Sequence, residues 1–250
     1  MTEGGGKSNM AKKMKAPFFE FGPKTYIWGD RAVEMAKTMD KLSAKYDVDA
    51  IFTAQYTDLE RIRRHTERIF VFAQHMDVVH PGIGIGAVLP EALAECGVSG
   101  VMLNHEERQL TIAGLHQTVR RADEVGLITL VCSGNCEEAK MAACLSPNIV
   151  LVENPDLIGK KTRTEEELKL IIEINNQIHS INKDVLIMHA AGIRSPEDVY
   201  NVILAGADGT GSTSAIAKAD NPEYMLEAMM CKAREAWDER IRKEKIYGLQ

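Results

Sequence analysis

The chain's five cysteines, Cys96, Cys132, Cys136, Cys144 and Cys231, make no zinc-ligand spacing, and their odd number over a medium-length chain is no disulfide framework. They read as reduced thiols of a cytoplasmic protein; Cys132 and Cys136 flank Ser-Gly-Asn, a strand-to-helix turn, so both read as structural rather than redox-active. No uninterrupted apolar run approaches the roughly 18 residues of a membrane span, which excludes a membrane partner. Met1 to Lys15 is rich in Gly and Lys and lacks an apolar stretch of signal-peptide length. Residues 1–15 are therefore expected as a flexible tail before a domain of residues 16–250. Beyond Lys12, Lys13 and Lys15 there is no basic stripe, and 30 Lys+Arg against 36 Asp+Glu leave a net charge of −6, so nucleic acid is excluded as a partner. A dinucleotide fingerprint is missing too: the first turn reads Gly22-Pro23-Lys24-Thr25, and Gly82-Ile-Gly84-Ile-Gly86 has the wrong spacing. Neither a domain-scale linker nor a sequence repeat is present.

What is present is an ordinary globular composition, 45% hydrophobic and 26% charged, over a length close to the roughly 250 residues of an α/β barrel. From Ala16 onward, short apolar runs alternate with amphipathic segments in eight pairs. The strand-like runs are Phe18–Gly22, Ala50–Ala54, Ile69–Gln74, Gly100–Asn104, Ile128–Ser133, Ile149–Glu153, Val185–His189 and Gly209–Ser212. Most are continuously apolar, as parallel strands buried on both faces must be; the last is polar and the weakest. Helical period covers Asp30–Tyr46, Leu59–His65, Ala87–Cys96, Ile112–Val125, Glu137–Cys144, Thr164–Ile181, Pro196–Ala205 and Pro222–Lys243. Thr164 three before Glu167, Ser195 before Pro196, and Asn221 before Pro222 are helix-start signals. Strand and helix alternating eight times predict an α/β fold, a single (β/α)8 TIM barrel.

Such a barrel carries its chemistry on the loops after its strands. Lys24 follows the first strand, His105 the fourth and Glu153 the sixth. Glu153 comes directly after Ile-Val-Leu-Val, at a dry rim where desolvation raises a carboxylate towards a useful general base; a structural ion pair is the competing reading. The run Gly209-Thr-Gly-Ser-Thr-Ser214 offers backbone N–H groups with little side chain in the way, an anion cradle, with a merely polar strand end as the alternative. Ala190-Ala-Gly192 and Gly159-Lys-Lys161 lie on the same rim. A base, an imidazole, a cation and a phosphate cradle point to enolisation of a phosphorylated carbonyl compound.

Five ordered motifs then carry a resemblance: Ala73-Gln-His75-Met-Asp77, Gly86-Ala-Val-Leu-Pro-Glu91, Gly100-Val-Met-Leu-Asn-His-Glu-Glu-Arg108, Val131-Cys-Ser-Gly-Asn135 and Glu153-Asn-Pro-Asp-Leu-Ile-Gly159. Together they resemble the triosephosphate isomerase family, in its shorter archaeal-type branch, from about Phe18 to Glu227. The resemblance implies interconversion of dihydroxyacetone phosphate and glyceraldehyde 3-phosphate through an enediolate, with no metal or organic cofactor. By position Glu153 matches the family's base, His105 its electrophile, Lys24 its lysine, and Glu107 the second glutamate of the Asn-His-x-Glu-Arg motif. Gly159, Gly192, Thr213 and Ser214 match phosphate contacts, and Asn154 to Lys161 the mobile lid. A homodimer or homotetramer is implied as well, because in this family the loop corresponding to His75–Gly86 docks beside a neighbouring subunit's site. Its apolar tip, Ile83 and Ile85, fits that role, whereas Met35, Met39, Met225, Met229 and Met230 fall at helical spacing as packing residues.

This chain departs from the family around the substrate. Gly22 stands where Asn is usual, Glu106 where Ser is usual, and Lys160-Lys161 replace Thr-Gly. Ala190 replaces Gly, and Arg194 replaces Ser. These changes keep two alternatives open: an isomerase of a related phosphorylated sugar, such as a tetrulose phosphate like erythrulose phosphate, and a non-catalytic sugar-phosphate-binding barrel.

Overall fold

Eight short runs whose residues are almost all buried pair only in parallel and in sequence order, so the eighth hydrogen-bonds back to the first and the sheet has no edge. The computed structural model describes residues 13–153, 164–190 and 192–247. The strands are β1 Phe18–Phe21, β2 Asp49–Ala54, β3 Phe70–Ala73, β4 Gly100–Leu103, β5 Ile128–Ser133, β6 Ile149–Val152, β7 Leu186–His189 and β8 Gly209–Gly211. Around them lie α1 Gly29–Tyr46, α2 Leu59–Arg64, α3 Pro90–Glu95, α4 Ile112–Glu124, α5 Cys136–Cys144, α6 Glu165–Ile181, α7 Pro196–Leu204, α8 Ser214–Ala217 and α9 Pro222–Tyr247. The expected barrel is thus observed, with every strand within one residue of its expected start. Among the described residues no helix is long and apolar enough to cross a membrane.

Alternation along the strands divides the apolar residues into two cores. Phe18, Ile51, Phe70, Phe72, Leu130, Ile149 and Met188 fill the barrel's interior, whereas Phe19, Phe21, Phe52, Val71 and Val150 face the helices. Met14 is buried with the interior set, and the Lys15 backbone N–H donates to Asp49 at 2.9 Å, so these two residues of the leading segment are tied to the strands. Met35, Met39, Met229 and Met230 are fully buried in the outer core. Three aromatic rings inside one small barrel demand empty positions opposite them. A Cβ on Gly209 would lie 2.4 Å from the Phe18 ring, and one on Gly100 would lie 2.5 Å from the Phe72 ring. The polar, glycine-rich reading of β8 therefore has a steric cause: Gly209 must be bare for Phe18 to fit, and Gly211 for the Glu20 backbone and the Met188 side chain.

Helix starts follow their signals. Thr164 with Glu167, and Ser195 with Asp198, form reciprocal caps, and Asn221 accepts from the Tyr224 backbone N–H at 3.0 Å. The helix expected from Ala87 begins only at Pro90. Its would-be first turn is held by Asp77, whose carboxylate accepts from the Val88 N–H at 2.7 Å and whose own N–H donates to the Val88 carbonyl at 3.0 Å. The four-residue α8 and the turns at Tyr56–Asp58 and Glu106–Arg108 were not among the expected segments.

The packing generates a stability prediction. In Gly100→Ala the new Cβ meets the Ile128 carbonyl oxygen, which is backbone, at 2.5 Å as well as the Phe72 ring. Overpacking of this kind is expected to lower the unfolding free energy by about 1–3 kcal/mol in urea denaturation. Gly84→Ala adds a Cβ 3.4 Å from Ala87 in an exposed loop and is expected to stay within about 0.5 kcal/mol of the parent.

Candidate active site

At the C-terminal end of the barrel a cavity of about 1020 Å³ opens, and Lys24, His105 and Glu153 all line it. Lys24 sits just past β1 with φ 48°, a left-handed conformation that a lysine adopts only when its surroundings impose it. Two side-chain amides supply the constraint: Gln55 Nε2 donates to the Lys24 carbonyl at 3.0 Å and Gln74 Nε2 at 3.3 Å. The ammonium is thereby directed over the cavity, where Nζ lies 3.3 Å from the Glu107 carboxylate.

His105 leaves β4 behind Asn104, which has φ 59°. The Asn104 amide bridges neighbouring segments, Nδ2 donating to the Cys132 carbonyl at 2.9 Å and Oδ1 accepting from the Leu110 N–H at 2.9 Å. The turn Glu106–Arg108 then brings the Glu107 backbone N–H to His105 Nδ1 at 3.1 Å. An Nδ1 that accepts carries no proton, so the neutral ring holds its proton on Nε2. Burial, with the Lys24 charge behind it, pushes the His105 pKa down and keeps the imidazole neutral.

Glu153 is the first residue after β6, and its backbone N–H donates to the Ser133 carbonyl at 2.9 Å. Burial raises its pKa, Lys24 pulls it down, and Glu106 and Glu107 push it up. This is a desolvated base kept ionisable by one nearby cation. Among the described residues Glu153 has no cation within 4 Å, so it is not held in a structural ion pair; Lys24 acts on it from across the cavity.

On the opposite side, Gly192 has φ 75°, and Ser212, Thr213 and Ser214 line the cavity. Their hydroxyls are not equivalent. Ser212 Oγ donates to the Ile193 carbonyl at 2.9 Å, and Thr213 Oγ1 donates to the Gly22 carbonyl at 2.9 Å, so both clasp neighbouring loops. Of the expected site residues, Glu153, His105, Lys24, Glu107, Gly192, Thr213 and Ser214 converge on one cavity. Gly159, with Lys160 and Lys161, lies outside the described residues. Glu106 and Arg194 also line the cavity.

Glu20, Thr53, Gln55 and Gln74 were not expected at the site. Gln55 and Gln74 hold Lys24 by its backbone, an assignment no local pattern announces. Glu20 did carry a signal, since it is a lone charge inside Phe-Phe-Glu-Phe and so falls at an inward position of a buried strand.

A family model described as triosephosphate isomerase matches residues 23–230. A triosephosphate isomerase of Sulfurisphaera tokodaii is 35% identical over 228 residues, 90% of this chain and 99% of that protein. One of Sulfolobus acidocaldarius is 35% identical over 234 residues, 91% of this chain and 99% of its own length. The crystal structure of triosephosphate isomerase from Bartonella henselae superposes with a TM-score of 0.73 at 15% identity, covering 88% of this chain and 99% of that one, a likeness of fold. With the match running through the lysine, histidine and glutamate segments of the rim, the chain belongs to the triosephosphate isomerase family.

Proposed function

We propose that Glu153, His105 and Lys24 are the groups with which this barrel interconverts dihydroxyacetone phosphate and glyceraldehyde 3-phosphate. The observation that carries the assignment is the state of the histidine: neutral, with its Nε2 proton free of the turn that holds Nδ1. The Glu153 carboxylate removes a proton from the carbon beside the carbonyl. His105 donates its Nε2–H to the oxygen on which charge develops, and Lys24 offsets that charge. Glu153 then returns the proton to the neighbouring carbon, while His105 Nε2 relays the hydroxyl proton from one oxygen of the enediolate to the other, completing the isomerisation with no net change in oxidation. Glu107 acts on both partners, through its N–H on His105 and its carboxylate on Lys24. The phosphate is assigned to Gly192 and to the backbone of Thr213 and Ser214, because the Thr213 hydroxyl is already engaged with Gly22. Gly159 joins them by resemblance to the family alone.

A second copy of the chain belongs to the assembly we infer. Ile83 and Ile85 are fully exposed at the tip of the loop between β3 and α3. Burying each against a partner stabilises by about 1.5–3 kcal/mol, which favours a homodimer or a larger homo-oligomer.

Glu153→Gln is expected to lower kcat/KM for either triose phosphate by about 10²–10⁴-fold, and His105→Gln by about 10²–10³-fold, in a coupled assay. The acid limb of the parent's profile is expected to fall at a pH above the ordinary glutamate value of 4.5, since Glu153 loses its negative charge as pH drops through a raised pKa. Faster turnover of erythrulose phosphate than of the trioses by the parent would transfer the same machinery to the four-carbon substrate. Sedimentation velocity tests the assembly: Ile83→Asp with Ile85→Asp is expected to yield monomers, and a parent that already sediments as a monomer would refute it.

A further inference from the structure

Glu20 is a buried carboxyl group that the isomerisation described above leaves unused. Along β1, Phe19 and Phe21 pack outward against the helices, while Phe18 and Glu20 point into the barrel, Glu20 on the side of the open rim. Glu20 is 6% exposed, lines the cavity, and accepts a hydrogen bond from Thr53 Oγ1 to Oε1 at 2.6 Å. The same Oε1 lies 2.6 Å from the point a Cβ on Gly22 would occupy. The carboxyl group thus fills the space from which a side chain at position 22, two residues before Lys24, would reach the substrate. The family usually presents an amide there, which offers an N–H donor group and an acceptor oxygen. A protonated carboxylic acid likewise presents both a donor and an acceptor, accepting through Oε1 from Thr53 and donating through its second oxygen.

We infer that Glu20 is a substrate-binding residue of this site, acting as a neutral carboxylic acid that donates a hydrogen bond to a substrate oxygen in place of a side chain at Gly22. This rests on the isomerase assignment above. The groups that act on Glu20 electrostatically are Lys24 after β1, Glu153 after β6 and Cys132 on β5. One cation serves two carboxyl groups, so both cannot ionise cheaply in a dry rim. Burial dominates at Glu20 and, with the Glu153 charge, pushes its pKa up to about 7 against the Thr53 hydroxyl, Lys24 and the Gly22 N–H, which all favour the ionised form. Below pH 7 Glu20 therefore keeps its proton. Ionisation of Glu20 removes the donor and sets a second negative charge beside the enediolate.

The parent's kcat/KM for dihydroxyacetone phosphate is then expected to fall above pH 7 by about tenfold per pH unit, as one titrating group requires. Glu20→Gln keeps the shape, the acceptor for Thr53 and a donor, but does not titrate. Its rate at pH 6 is expected to be lower than the parent's yet flat through the alkaline range, so the ratio of variant to parent rises with pH. Parallel profiles for the two proteins would overturn the inference. Infrared difference spectra provide a readout independent of turnover: parent minus Glu20→Gln should contain a protonated-acid band at pH 6 that is lost at pH 9. On adding 2-phosphoglycolate at pH 6, that band should shift as its O–H acquires a new acceptor. An absent or unshifted band refutes substrate contact. A parent without triose turnover whose band still shifts would overturn the isomerase assignment and leave Glu20 as a ligand-binding acid.

Discussion

Closure of the sheet between β8 and β1 is the constraint from which the site descends. Phe18 pairs in register with Gly209 and Glu20 with Gly211. The match is possible because neither β8 residue puts a side chain into space already taken by the Phe18 ring, the Met188 side chain and the Glu20 backbone. Closing the barrel carries the ends of β1, β4, β6 and β8 to one rim, so residues as distant in sequence as Lys24 and Ser214 share a cavity. The closure is reinforced where it matters for chemistry. The Ser212 N–H donates to the Glu20 carbonyl at 3.2 Å and the Thr213 hydroxyl to the Gly22 carbonyl, joining the two strand ends just above the last ladder pair.

A dry rim makes every charge on it dependent on the others. Lys24 lowers the His105 pKa by repulsion and the Glu153 pKa by attraction, while Glu106 and Glu107 act in the opposite sense on both groups. Desolvation is the largest influence on each, and it favours the neutral imidazole and resists the ionised carboxylate. Burial alone therefore favours the neutral histidine, whereas at the glutamate burial opposes the charged form and Lys24 favours it. The positioning of Lys24 is accordingly the more exacting requirement. Its left-handed backbone costs about 1–3 kcal/mol, and the two glutamine amides that hold its carbonyl offset that strain.

The fold was legible because burial on both faces makes a parallel strand read as a continuous apolar run, as in Ile-Val-Leu-Val before Glu153. Where legibility failed, longer-range contacts decided the outcome. α3 begins at Pro90 because Asp77, 11 residues earlier than Val88, captures that residue's amide. β8 reads as polar because its two inward positions are bare, Gly209 against the Phe18 ring and Gly211 against the Glu20 backbone and Met188. At the site, the groups that touch the reaction were visible from their places after strands, and the resemblance sorted their roles. The groups that hold them were not visible, because Gln55 and Gln74 act through a backbone carbonyl some 31 and 50 residues away.

Glu20 belongs to neither class. A carboxylate in the middle of an apolar strand contradicts the pattern around it, and such contradictions mark positions where folding and chemistry make different demands. Gly22 by itself reads as a loss, one polar side chain fewer at the rim. The structure ties the two positions together: Oε1 of Glu20 stands where the missing side chain would begin, so a charged residue at 20 and a bare residue at 22 are sterically one feature. Desolvation decides which form of the carboxyl group persists, raising the Glu20 pKa to about 7 against the Thr53 hydroxyl, which favours the ionised form. The Gly22 backbone meanwhile serves the closure of the sheet, its carbonyl accepting from the Thr213 hydroxyl that joins the end of β8 to the end of β1.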